Sequence, residues 1–230
     1  MTLTLFVGSR RYSSWSLRPY VALAHAGAAF ETKMISLDGP DTKANIRAVN
    51  AAGKVPVLHD GALRIWDSLA ICEYAAELYP QAKLWPADRA KRAHARSISA
   101  EMHSSFAALR TNMPMNLGAR HPGSGRTPEV EADIARITAI WRECLNASGG
   151  PFLFGEFTIA DAMFAPVATR FVTYAVDLDH PGYAAVRGTP VAGVRSQIDA
   201  ACSGYVAALH DHPAMKQWHA DAAAEPATRP

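Results

Sequence analysis

The sequence predicts a small α/β domain followed by an all-α domain, and three observations carry that reading. Up to about residue 80, short β-like runs alternate with helical ones in the order β-α-β-α-β-β-α. A stretch with two prolines, Tyr79-Pro80-Gln81-Ala82-Lys83-Leu84-Trp85-Pro86, then punctuates the chain. Beyond it the period-two signal disappears and apolar residues recur at helical spacing. The first order implies a mixed four-stranded sheet with helices packed against it. The expected division is residues 1–79, a linker at 80–86, and a helical domain over 87–230.

Each element has its own signal. Leu3-Thr4-Leu5-Phe6-Val7 is a short apolar strand, and residues 16–26 follow as a helix. Phe30-Glu31-Thr32-Lys33-Met34-Ile35-Ser36 alternates loosely with period two, as a half-exposed strand does. A helix over 42–49 comes next. Val55-Pro56-Val57-Leu58 and Leu63-Arg64-Ile65-Trp66 flank His59-Asp60-Gly61-Ala62, and an Asp-Gly in so short a connection marks a hairpin. Residues 68–78 close the domain as a helix.

In the second domain Ile98, Met102, Phe106, Leu109 and Met113 recur at spacings of 4, 4, 3 and 4. Val130, Ile134, Ile137, Trp141 and Cys144 recur at 4, 3, 4 and 3, so each set forms one helical stripe. The segment from His121 to Pro128 is a loop by composition, and Asn146-Ala147-Ser148-Gly149-Gly150-Pro151 ends the second helix. The chain is helical again from about 158, apart from a Gly/Pro-rich interval between Pro181 and Gly193. Thr158-Ile159-Ala160-Asp161 has the form of a capping box with Asp in the place of Glu or Gln. Phe157 stands where a staple residue would, although Ala162 is a weak partner for it. This motif fixes a helix start and carries no chemistry.

Composition excludes several classes of function. With 49% hydrophobic and 19% charged residues in 230, there is enough apolar material for a core, so a disordered chain is excluded. A net charge of +2 with no long basic run gives no reason to expect a nucleic-acid partner. The densest cluster, Arg89, Lys91, Arg92 and Arg96, reads as the solvated face of a helix. No stretch approaches the ~18 apolar residues of a membrane span, and the apolar start is too short for a secretion signal. Cys72, Cys144 and Cys202 are scattered and odd in number, suggesting neither a disulfide framework nor a metal site. His210-Asp211-His212 lacks a visible third ligand and reads as a helix end before Pro213. A soluble protein of a reducing compartment, the cytoplasm, is the expectation.

The chemistry is expected at Tyr12-Ser13-Ser14-Trp15-Ser16-Leu17-Arg18-Pro19, between the first strand and the first helix. Hydroxyls and unpaired N–H groups at a helix N-terminus favour an anion. A thiolate held there by a serine would be stabilised over the thiol, and its pKa would fall below the value of about 8.5 for a free thiol. The plainer alternative is that Ser13 or Ser14 is only an N-cap.

Two further features stand at similar places. Lys54-Val55-Pro56-Val57 puts a proline at a strand start, where a cis peptide would present the Val55 backbone as a pairing edge and a trans one would be an ordinary edge proline. Asp67-Ser68 opens the third helix, with Ser68 able to hold a carboxylate and Asp67 able to meet an ammonium or merely to cap. Two helix N-termini and an open strand edge suit a small zwitterionic peptide bearing a thiol.

Over essentially its whole length the chain resembles a cytosolic glutathione transferase. The resemblance rests on Ser13-Ser14-Trp15-Ser16-Leu17-Arg18, Lys54-Val55-Pro56, Asp67-Ser68-Leu69-Ala70-Ile71 and Phe157-Thr158-Ile159-Ala160-Asp161. The serine segment is most similar to the zeta class, and to bacterial transferases with Trp in the third place. The resemblance implies a thioredoxin-like first domain that binds glutathione and a helical second domain that carries the acceptor site. It implies that Ser13, or Ser14 one step on, stabilises the thiolate beside Trp15. It further implies that Val55, before a cis Pro56, pairs with the cysteinyl unit, and that Asp67 and Ser68 hold the γ-glutamyl end. Lys54 is the candidate partner of the glycyl carboxylate. Arg170 matches an arginine thought to meet an acidic co-substrate, a surface arginine being the alternative. Met102, Phe106 and Arg110 are candidates for the acceptor pocket, or else core.

Trp15 stands where the zeta pattern has Cys, which counts against maleylacetoacetate isomerisation. The segment 182–197 appears longer than the corresponding connection in relatives. The expected activity is attack of the glutathione thiolate on a small electrophilic, largely apolar substrate, as in detoxification, with no metal and no nucleic-acid or membrane partner, in a homodimer. The rivals are a glutathione-dependent isomerase of an unsaturated diacid and a non-catalytic glutathione-binding or regulatory module.

Overall fold

The sheet is built on β1 (Leu3–Val7), whose Leu3, Leu5 and Val7 are buried while Thr4 and Phe6 are half-buried. The computed structural model describes residues 3–37, 39–178 and 195–225, and of 195–200 the backbone only. β1 pairs in parallel with β2 (Phe30–Met34), Leu3 opposite Phe30 and Val7 opposite Met34. On its other side it pairs antiparallel with β3 (Val57–Asp60), Leu5 opposite Leu58. β4 (Leu63–Trp66) completes the hairpin with Val57 opposite Trp66, so the strand order is β2-β1-β3-β4. Gly61 at φ +56° makes the tight connection that the Asp-Gly pair predicts. α1 (Ser14–His25), α2 (Thr42–Val49) and α3 (Ser68–Leu78) complete the predicted mixed α/β order. β3 begins at Val57 rather than Val55 because Pro56 has no N–H to give to the ladder.

The linker is seated in the core. After a 3₁₀ turn at Pro80–Ala82, Leu84 and Trp85 are buried. The Leu84 carbonyl accepts from Ile159 N–H at 2.9 Å, and Trp85 Nε1–H donates to Glu73 at 2.8 Å.

The helical part contains α4 (Arg89–Ser104), α5 (Ala107–Asn112), α6 (Pro128–Ser148), α7 (Ile159–Thr173), α8 (Arg195–Asp211) and α9 (Pro213–Ala224). The stripe from Ile98 to Met113 is buried throughout, but two helices carry it where the spacing predicts one. The break is Phe106, at φ +63°, which turns the chain while keeping its ring inside. α6 is continuous as expected, capped by Thr127 and Pro128 at its start and Gly149 at its end.

α7 is buried along almost its whole length and packs against α1, α4 and α8. Its capping box forms: Asp161 accepts from Thr158 N–H at 2.8 Å and from the Thr158 hydroxyl at 2.9 Å. Phe157 finds its partners in the His25 and His212 rings, at centroid distances of 4.5 and 4.4 Å. Arg89, Lys91 and Arg96 are exposed on α4, as a solvated face should be. The three cysteines are buried. The Gly/Pro-rich interval Pro181–Gly193, and with it most of the 182–197 segment, lies outside the described residues.

Candidate functional site

The turn after β1 delivers the serines. Tyr12 N–H and Ser13 N–H both donate to the Ser9 carbonyl, at 3.1 and 2.8 Å. Gly8 lets the strand end pass close to Ser13: a Cβ there would meet Ser13 Cβ at 3.1 Å and displace the movable Leu37 Cδ1, 2.7 Å away. Ser13 occupies the N-cap position of α1, yet its side chain caps nothing. Its Oγ lies 2.7 Å from Ser16 Oγ, which itself accepts from Gly8 N–H at 3.2 Å. Ser14, the first residue of the helix, is also buried. The first turn of α1 carries no acidic side chain, so nothing there opposes an incoming anion.

Trp15 is wrapped by cations. The guanidinium carbons of Arg18 and Arg110 lie 4.3 and 4.6 Å from the centroid of its ring, and His103 meets it edge-on at 5.2 Å. Arg18 is fully buried. Its Nε–H donates to the Met163 carbonyl at 3.2 Å, but neither terminal nitrogen has a hydrogen-bond partner. Burial, and then the charges of Arg110 and Arg170, hold its pKa well below the ordinary arginine value.

The predicted acceptor-site residues do not line the cavity that holds the glutathione set, although Arg110 reaches the Trp15 ring. Arg110 folds back over the end of α4, donating to the Ser105 carbonyl at 3.0 Å and to those of Met102 and His103. That is where a cation offsets the helix dipole. Arg170 is not a surface residue: it is 3% exposed on α7, donating to the Met113 and Pro166 carbonyls at 2.9 and 3.1 Å. Burial pushes its pKa down to about 10, with the charge of Arg110 adding to the effect. Met102 is fully buried and Phe106 nearly so, as members of the core stripe.

The second helix start has a cavity in front of it, about 570 Å³ in volume. Trp15, Lys54, Val55, Pro56, Asp67 and Ser68 line it, with Asn50, Trp66 and His103 among the other wall residues. The Val55–Pro56 peptide is cis. Asn50 fastens the loop that carries it, donating to the Lys54 carbonyl at 2.6 Å and accepting from Ala52 N–H at 3.0 Å. Asp67, at φ +76°, caps α3 with Oδ1, which accepts from Leu69 and Ala70 N–H at 2.9 and 3.2 Å. Its Oδ2 lies 3.1 Å from His103 Nε2. Burial, then the charges of Arg18 and Arg110, lower the His103 pKa against the pull of Asp67. The Ser68 hydroxyl is buried in the wall with no partner. A buried polar group left so costs about 1–3 kcal/mol until a ligand atom meets it.

All six residues predicted to contact glutathione therefore meet in one cavity. Ser13 and Ser14 adjoin its Trp15 but do not line it, and neither do Met102, Phe106, Arg110 or Arg170. Sequence reasoning missed Ser16, Asn50 and His103. Ser16 sits inside the quoted serine motif, so its spacing from Ser13 was a usable signal; His103 lies too far from Asp67 in sequence to give one. Among the described residues no group of three or more His, Cys, Asp or Glu side chains could hold a metal ion. Nor is any helix there long and apolar enough to cross a membrane.

Comparison with known proteins identifies the family. The family model for the glutathione S-transferase N-terminal domain matches residues 12–78, and that for the C-terminal domain matches 125–221. A probable maleylacetoacetate isomerase of Caenorhabditis elegans is 33% identical over 164 residues, covering 69% of this chain and 76% of that protein. A zeta-class glutathione S-transferase of Euphorbia esula is 30% identical, covering 70% and 73%. The crystal structure of a Burkholderia glutathione transferase homologue with bound glutathione superposes with a TM-score of 0.66 at 23% identity, over 98% of this chain and all of that one. The chain belongs to the glutathione S-transferase family. It is an enzyme of that family's transferase type, with glutathione as co-substrate.

Proposed function

We propose that glutathione lies in the cavity between the starts of α1 and α3 with its sulfur against the N-terminus of α1. There Ser13, or Ser14 one step on, hydrogen-bonds the sulfur as a thiolate. The observation that carries this reading is one cavity that meets the start of α3 at Asp67 and Ser68 and the first turn of α1 at Trp15, with the Ser68 hydroxyl in its wall unpartnered among the described residues. Ser68 receives the γ-glutamyl carboxylate and Asp67 the ammonium. The Val55 backbone pairs with the cysteinyl unit, Lys54 meets the glycyl carboxylate, and Trp15 flanks the sulfur. Ser16 completes the set: it accepts from Gly8 N–H and turns its own O–H toward Ser13, leaving the Ser13 proton for the sulfur.

The thiol gives its proton to solvent as glutathione binds. The thiolate electron pair then forms a bond to an electrophilic carbon of a small, largely apolar acceptor held against the helical domain, and the leaving group departs with its electrons. The protein supplies a lowered thiol pKa and position. A boundary at 80–86 between domains of residues 1–79 and 87–230 belongs to the same proposal, as does a cytoplasmic homodimer. Leu63 and Trp66 on the outer strand β4, each more than half exposed, favour a covering second copy.

Ultraviolet titration of the glutathione complex tests the central claim. The thiolate band should appear well below pH 8.5. It should move up in Ser13→Ala or Ser14→Ala, whichever serine bonds the sulfur. A band that titrates as in buffer overturns the reading.

A second reading has one observation in its favour. The charges of Arg110 and Arg170 lower the Arg18 pKa and that of Arg110 lowers the Arg170 pKa, while Asp133 acts the other way on Arg110, and among the described residues no salt bridge involves any of the three. Such a cluster suits an acceptor bearing carboxylates, as the isomerase of an unsaturated diacid would require, with Arg170 as its anchor. Chromatography of the products from a maleyl-type diacid separates isomerisation from conjugation.

A further inference from the structure

The end of α9 is tied to the turn that carries the serines. Glu225, the residue after α9, receives the Ser9 hydroxyl at 2.9 Å, the Arg10 backbone N–H at 2.9 Å and the Arg10 guanidinium at 3.0 Å. Its side chain is only 8% exposed. Around it, Arg11 donates to the carbonyls of Ala223 and Glu225 at 3.3 and 3.4 Å, and Trp218 Nε1–H donates to the Arg10 carbonyl at 3.0 Å. Arg10 also lies over the Trp218 ring and 3.6 Å from Asp221.

The contact reaches the serines through one residue. Ser9 gives its hydroxyl to Glu225 and, with its carbonyl, holds Ser13 N–H at 2.8 Å. Within the first domain the same segment has a further tie, the Arg10 guanidinium donating to the Thr32 hydroxyl at 2.6 Å, but that bond holds Arg10 and not Ser9. At Ser9 and Arg10, the carboxylate anchors one backbone donor and two side-chain donors of a segment that has no regular secondary structure.

We infer that Glu225 is a positioning residue for the thiol-activating end of α1, acting through Ser9 to set where Ser13 and the helix N-terminus meet the sulfur. The inference rests on the proposal that this end of α1 activates the thiol. Charge-assisted hydrogen bonds are about twice as strong as neutral ones, so this carboxylate can hold a turn that would otherwise sample other conformations. Displacing catalytic groups by about 1 Å costs up to about a hundredfold in rate.

The test compares the full-length protein with Glu225→Ala, Glu225→Gln and Ser9→Ala by thiolate titration and by the pH dependence of kcat and KM. Glu225→Ala should raise the bound thiol's pKa by about one unit, which lowers its thiolate fraction about tenfold at pH values well below the parent's thiol pKa and by less above it. Activity should then fall about tenfold at the acid end of the profile and recover toward the parent rate above the new thiol pKa, with KM for glutathione changed less than about threefold. Glu225→Gln keeps an acceptor oxygen and should restore most of the shift, and Ser9→Ala should reproduce part of it.

A loss of rate equal at every pH would mean that Glu225 only supports the fold, and would overturn the inference. So would an unchanged thiol pKa in the variants. If the parent itself shows no lowered thiol pKa, the functional proposal fails instead. Should Glu225→Ala not fold, the Gln and Ser9 variants decide the question alone.

Discussion

Nε2 of His103, on α4, lies 3.1 Å from Oδ2 of Asp67, the residue that caps α3 across the domain boundary. One carboxylate thus holds the third helix with Oδ1 and reaches the helical domain with Oδ2, while lining the cavity proposed for glutathione. The two duties can be separated. Asp67→Asn keeps a capping oxygen and tolerates the positive φ, but removes the charge that an ammonium would meet. Calorimetry should show glutathione binding weakened about tenfold, roughly 1.4 kcal/mol, with little change in thermal stability. Asp67→Ala should add a stability loss of about 1 kcal/mol from the missing cap. Equal affinity of Asp67→Asn and the parent would remove Asp67 from the binding set.

Ser16 makes the second prediction. It is fully buried, bonded to Ser13 at 2.7 Å and to Gly8 N–H at 3.2 Å. Ser16→Ala leaves that N–H without a partner at a cost of about 1–3 kcal/mol. It also frees the Ser13 hydroxyl to rotate. Urea unfolding should record the loss, and the bound thiol pKa should rise by less than it does in Ser13→Ala. A larger rise than in Ser13→Ala would make Ser16 the sulfur's own partner.

Asp161 is the third. Besides closing the capping box, it accepts from Leu153 N–H and the Tyr205 hydroxyl, each at 3.0 Å, so one fully buried side chain joins three segments. Burial holds its pKa up at about 6 against the four hydrogen bonds that lower it. Asp161→Ala strands those donors, and the cost should be on the order of 3–5 kcal/mol in urea unfolding, large enough to lower soluble yield. A loss below about 1 kcal/mol would mean that water replaces the carboxylate.

These residues show where sequence reasoning stops. The capping box was legible because both its members lie within one turn. The hairpin was legible from Asp60-Gly61, and the sheet order from alternating elements, since these signals are local and periodic. Phe106 was not, because its φ of +63° turns the chain without disturbing the apolar spacing that defines the stripe. The partners of Asp161 on α8, of Asp67 on α4 and of Ser9 beyond α9 come from distant segments, and pairing at that range is set by packing. The sequence left open whether Arg170 is a surface arginine; its burial follows from α7 being enclosed by other helices, which no single-helix pattern reveals.

His25 and His212 give the last prediction. They face each other across the domain boundary, Nδ1 to Nε2 at 3.0 Å, with the Phe157 ring beside both. His212 Nδ1 accepts from Ala214 N–H as the cap of α9, so in the neutral ring the proton sits on Nε2 and points at His25. A second proton on His212 would break the cap, and one on His25 Nδ1 would confront the Nε2–H. Burial, with the His25 charge adding to it, pushes the His212 pKa down to about 4. Burial lowers that of His25 too, against the pull of Glu156. An unfolded histidine titrates near 6.5, so between those values the unfolded chain binds more protons and stability rises with pH. The contribution is present above about pH 6.5 and is lost as the pH falls toward 4, amounting to about 2 kcal/mol between pH 7 and pH 5. His212→Asn keeps a capping oxygen and removes the titration. Urea unfolding at pH 5, 6 and 7 should therefore give a flatter dependence for His212→Asn than for the parent. Parallel dependences would show that the histidine pair takes up its protons without strain.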